Sequence, residues 1–150
     1  MNMRALAALC LISCAASLSA QYGKIAEAAA GGEGPSVGES LLLVGAAAGS
    51  LEPELRAEDA RAALGRLGFR LPRAADGERI SWGDLAFLAA QLYDLPGGFA
   101  YRAFPSPRTA FKEALGLGLL PPGARPSDQV GGADLLFFLR RLEESKAARP

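Results

Sequence analysis

Histidine is absent from all 150 residues of the chain. That one absence removes the usual general base near neutral pH, the common pH switch and the commonest zinc ligand together. Hydrolase triads and transition-metal sites built on imidazole are therefore excluded. An excess of either charge is also missing, since 16 Lys and Arg face 16 Asp and Glu. Nucleic-acid affinity rests on basic groups in excess meeting phosphates, so no nucleic-acid partner is expected. Cysteine occurs only as Cys10 and Cys14. No segment sustains the alternation of apolar and polar residues that a half-buried strand requires. What is present is globular composition, 50% hydrophobic and 21% charged, at a length that suits one domain.

The N-terminus reads as an export signal over residues 1–20. In "MNMRALAALCLISCAASLSA", Arg4 precedes an apolar run from Ala5 to about Ala16, too short to span a bilayer comfortably. Two cleavage sites compete. Leu11-Ile12-Ser13-Cys14 resembles the bacterial lipobox, which would make Cys14 the lipidated first residue of the mature protein. A signal-peptidase cut after Ala20 would leave Gln21 first. Either cut leaves no pair of cysteines for an intramolecular disulfide. A lipidated Cys14 would anchor the domain to a membrane through its acyl chains.

Residues 21–35 read as a flexible linker or a partial first helix, 36–146 as the folded domain and 147–150 as a tail. Helical periodicity predicts helices over 22–29, 36–48, 56–67, 81–93, 107–117 and 131–146, punctuated by Pro72, Pro96, Pro105, Pro107 and Pro121-Pro122. The chain also repeats itself. Sliding it by 50 residues brings Leu67-Gly68, Pro72, Asp84-Leu85, Phe87 and Leu92 over Leu117-Gly118, Pro122, Asp134-Leu135, Phe137 and Leu142. A slide of 45 lays "SVGES" at 36–40 over "SWGDL" at 81–85. Periods of this size mark stacked supersecondary units, here a helix, a Leu-Gly turn, a Pro-containing loop and a second helix.

The starts of the second helices have a capping logic. Ser81 as N-cap places Asp84 at N3, where the hydroxyl accepts from the Asp84 amide and the carboxylate reaches back, with Ile80 and Leu85 as a hydrophobic staple. Ser36 and Glu39 form the corresponding box, while Gly131 is a poorer cap that keeps the Val130 and Leu135 staple. Gly68 and Gly118 stand where a helix must end, followed by Phe69 and Leu119 as expected core residues. Leu85, Leu88 and Leu92, and Leu135, Phe138, Leu139 and Leu142, form core stripes.

In this order of elements the chain resembles the S-layer homology family. "ALGLGLLPPGARPSDQVGGADLLFFL" at 114–139 follows that family's helix, Leu-Gly turn, loop and second helix; "GRLGFRLPRAADGERISWGDLAFL" at 65–88 follows with a different loop; the first copy matches from Pro35 to Leu43. The resemblance implies an all-α domain of three degenerate helix-loop-helix repeats in a pseudo-threefold arrangement with long Pro/Gly loops. It also implies attachment at the bacterial surface through cell-wall polysaccharide. Family ligand contacts centre on an Arg at the start of the second helix, and the matching residues here are Val37, Trp82 and Gly132.

Trp82 carries the main question left by the sequence. It either caps the core or presents an aromatic surface to a sugar or a protein partner, with Arg79 and Arg125 in the neighbouring loops. Asp84 and Asp134 are the candidates for paired acid-base chemistry, but both are explained as helix-start residues. No enzymatic activity, cofactor or metal is expected. The function expected is a non-catalytic protein of the cell envelope, in the periplasm or anchored to a membrane, binding an envelope protein or wall polysaccharide. The alternative is a periplasmic interaction or assembly subunit without glycan binding.

Overall fold

A computed structural model describes residues 34–52 and 54–148. Six helices occur among them: α1 (Val37–Ala47), α2 (Ala57–Arg66), α3 (Trp82–Leu92), α4 (Phe99–Ala103), α5 (Pro107–Gly116) and α6 (Gly132–Ala147). The fold is all-α, with two isolated antiparallel bridges joining Ser36 to Arg79 and Ser81 to Gln129. No described helix is long and apolar enough to cross a membrane. The expected export signal, Cys14 and the helix at 22–29 lie outside the described residues.

Five of the expected helices match to within one residue at each end. The short α4 was not expected, because Pro96, Gly97 and Gly98 before it and Pro105 after it read as unbroken connector. The capping chemistry is clear at α1: the Ser36 amide donates to Glu39 Oε2 at 2.8 Å and the Glu39 amide donates to Ser36 Oγ at 3.2 Å. At α3 the Asp84 amide likewise donates to Ser81 Oγ, but the Asp84 carboxylate accepts from the Ser81 hydroxyl at 2.9 Å and not from the Ser81 amide. Aspartate is one methylene shorter than glutamate, so the reciprocal half expected there is not made. A second complete box, Ser106 with Thr109, starts α5 with Pro107 at N1.

Four helices end alike. The amides of Ser50, Phe69, Leu95 and Leu119 donate to the carbonyls of Gly45, Leu64, Ala90 and Ala114, the bond from C″ back to C3 of a Schellman end. The residue in between has positive φ: Gly49 at 77°, Gly68 at 86°, Gly118 at 69°, and Asp94 at 45°. Glycine is thus replaced at one of the four ends only.

Packing pairs α1 with α2 and α3 with α5, joins α1 to α3 and sets α4 on α5. Leu41, Leu64, Ile80, Leu85, Leu88, Val130, Leu135, Phe138, Leu139 and Leu142 fill the centre, each at 1% exposure or less. Helix α6 meets α3 through the Phe138 ring, edge-on to Trp82 at 5.9 Å, and through the Tyr93 hydroxyl, which donates to Glu143 Oε1 at 2.7 Å. Among the described residues no buried side-chain nitrogen or oxygen lacks a hydrogen bond.

A Cβ added at Gly68 or Gly118 meets nothing within 4 Å, so only the backbone resists substitution. Gly68→Ala and Gly118→Ala should each lose about 1 kcal/mol in urea denaturation.

Candidate functional site

The start of each second helix is where the sequence directs attention, and there the structure adds a partner from elsewhere in the chain. The first turn of a helix has amides with no intrahelical acceptor. At α1 the Val37 amide donates to the Glu78 carbonyl at 2.7 Å and the Gly38 amide to the Asp76 carbonyl at 3.0 Å. At α3 the Trp82 amide donates to the Asp128 carbonyl at 3.0 Å and the Gly83 amide to the Pro126 carbonyl at 2.8 Å. The helix residues in these contacts differ by 45 in number and the loop residues by 50, the two slides that align the sequence with itself.

The two loops share a conformation. The Ala75 amide donates to Glu78 Oε2 at 2.8 Å while the Glu78 amide returns to the Ala75 carbonyl at 3.0 Å. The Arg125 amide donates to Asp128 Oδ2 at 3.0 Å while the Asp128 amide returns to the Arg125 carbonyl at 3.1 Å. Each acid folds its own turn and aims two carbonyls at the helix start. Arg61 holds the first loop, pairing with Asp76 and donating to the carbonyls of Pro72 at 2.8 Å and Ala74 at 2.6 Å. Phe111, 50 residues on, is buried instead.

Close approach of these loops explains the glycines in "SVGES" and "SWGDL". A Cβ on Gly38 would stand 3.4 Å from the loop's Asp76 carbonyl oxygen and 3.2 Å from the Ala57 carbonyl oxygen at the start of α2, and one on Gly83 would stand 3.1 Å from the Pro126 carbonyl oxygen. Alanine occupies the same place in the third copy, where Ala133 is exposed. Sequence reasoning covered the cap and the staple but missed this glycine, although its recurrence at N2 was the available signal.

Trp82 lies beneath the loop, 3% exposed. Its ring belongs to the core and is not offered to a sugar or a partner. Arg79 donates from its guanidinium to the Val130 carbonyl at 3.4 Å and lies across Gly34. Arg125 is exposed on its turn. The three residues singled out as a binding group thus divide between core, backbone bond and surface. Asp84 and Asp134 stand at the N3 positions of different helices, the first bonded to Ser81. Among the described residues no group of three or more His, Cys, Asp or Glu side chains is placed to hold a metal ion.

A cleft of about 500 Å³ opens elsewhere, at the connector between α3 and α5, lined by Asp94, Leu95, Pro96, Gly97, Tyr101, Arg102 and Pro105. The left-handed Asp94 turns the chain out of α3. Tyr101 lies against the Gly97 backbone, since a Cβ on Gly97 would come within 2.6 Å of the ring. Burial raises the pKa of the Tyr101 hydroxyl, with Arg70 lowering it and Asp94 raising it. Tyr101 is therefore a neutral phenol at neutral pH. Phe104, between two residues of the lining, is 74% exposed.

No family model, curated protein or solved structure matches the chain.

Trp82→Ala should cost roughly 3–5 kcal/mol of stability in urea denaturation, the range for emptying an aromatic core position. Trp82 is the chain's single tryptophan, so its native emission should be blue-shifted and move red on unfolding.

Proposed function

We propose that the protein is a non-catalytic module of the bacterial cell envelope, exported by its leader and built from three degenerate repeats of the S-layer homology type. It holds an envelope component or wall glycan, from the periplasm or, where cleavage falls before Cys14, from a lipid anchor in a membrane.

The observation that carries the reading is the repeated docking of a loop on the first turn of the preceding repeat's second helix. Two bonds between corresponding residues add to it: the Ile80 amide donates to the Pro35 carbonyl at 3.5 Å, and the Val130 amide donates to the Ile80 carbonyl at 3.0 Å. All three residues are buried. A pseudo-threefold arrangement calls for a last bond from residue 35 to the Val130 carbonyl. Proline has no amide hydrogen to give it, and the Arg79 guanidinium takes that carbonyl instead. The family's arginine position is filled by Val37, Trp82 and Gly132, all buried, so this chain has to grip its ligand elsewhere, and the cleft beside Tyr101 is the site we assign.

A protein partner without glycan binding is favoured by one observation, the exposed Phe104 and Leu67, the latter 58% exposed. Retention of the purified full chain on cell-wall sacculi separates the two readings. The proposal predicts retention; absence of retention together with one co-purifying stoichiometric protein would replace it by the alternative. A fatty-acid probe fed to producing cells should label the protein, and labelling that survives Cys14→Ala would remove the lipid anchor.

A further inference from the structure

We propose that the cleft between the end of α3 and the start of α5 binds one uncharged sugar unit, held by Asp94 and Arg102 against Tyr101. The inference rests on the envelope reading for the source of its ligand, but the chemistry comes from the cleft. Its volume, about 500 Å³, falls in the ordinary range for small-ligand sites.

The lining combines apolar side chains with one acid and one base, and the charges just outside it, Arg70 near Tyr101 and Glu113 beside Gly98, are again one of each sign. Leu95, Pro96 and the Tyr101 ring supply carbon surface, which suits the C–H face of a pyranose. Asp94 and Arg102 cancel in charge. A charged ligand would satisfy one of them and repel the other. Sugar hydroxyls use both, donating to the carboxylate and accepting from the guanidinium.

Asp94 gives the second, independent argument. The three other helix ends of this type place glycine in the left-handed position, at Gly49, Gly68 and Gly118, while α3 places an aspartate there at φ 45°. Aspartate tolerates that region better than most residues but less well than glycine. A non-glycine residue kept in such a conformation beside a cleft is a pattern of ligand sites. The aspartate also brings a carboxylate to the cleft, which glycine would not. Gly97 serves the same cleft, because any side chain there would displace the Tyr101 ring.

The test titrates the isotope-labelled full chain with glucose, galactose, mannose, N-acetylglucosamine and N-acetylgalactosamine, with glucuronate and glucosamine as charged controls. Amide shifts are followed by NMR. The proposal expects saturable shifts confined to residues 94–105 with at least one neutral sugar, and weaker binding of its charged counterpart. Asp94→Gly should weaken binding about tenfold or more while the amide spectrum outside residues 94–105 stays that of the parent chain. A β-linked N-acetylglucosamine tetramer that binds more tightly than the monomer assigns the site to a polymer, and equal binding assigns it to free sugar. Absence of saturable shifts with all five neutral sugars, preference for a charged control, or unchanged binding by Asp94→Gly would overturn the proposal. Retention on sacculi without these shifts leaves the envelope reading standing and rejects the cleft; shifts without retention do the reverse.

Discussion

The rest of the structure depends on how the first-turn amides of α1 and α3 find acceptors. A helix start exposes donors that must be bonded by something, and side-chain caps cover only part of the need. At α1 all four are accounted for: the Ser36 and Glu39 amides by the capping box, and those of Val37 and Gly38 by the 76–78 backbone. At α3 the loop at 126–128 does the same for Trp82 and Gly83. Once a loop backbone must come that close, a side chain at N2 is an obstruction and the residue at N1 is enclosed. The glycines and the buried Val37 and Trp82 follow from that constraint.

The same constraint governs which side chains reach the surface. The N1 side chains of α1 and α3, Val37 and Trp82, are both buried. The indole of Trp82 packs on Phe138 and so ties α3 to α6. The connector after α3 is open by contrast: Asp94, Tyr101 and Arg102 line its cleft, and Asp94 stands where the other three helix ends of this type have glycine.

Much of the fold was legible because its signals are local. Ser36 with Glu39, Gly68, Gly118 and the stripes from Leu85 and Leu135 act within a turn or two, and each stands where the spacing put it. The loop contacts were not legible, since the Val37 to Glu78 and Trp82 to Asp128 bonds join backbone groups 41 and 46 residues apart, and the Glu78 and Asp128 side chains only fold their own turns. Backbone carbonyls leave no mark in a residue pattern except the glycine that makes room for them. The cleft escaped for a different reason: prolines on both sides hide α4, and an aspartate in left-handed geometry looks like any other loop acid. Arg79 and Arg125 look alike as exposed loop arginines, and only the fold gives the first a bond to the Val130 carbonyl.

The central claim is that loop carbonyls, and not water, hold the helix starts. Native-state hydrogen exchange of the Val37, Gly38, Trp82 and Gly83 amides tests it most directly, since first-turn amides ordinarily exchange fast. The account predicts that these four exchange only through global unfolding, with the same opening free energy as the Leu85 and Leu88 amides in the core. Rapid exchange of the four while Leu85 and Leu88 stay protected would contradict it.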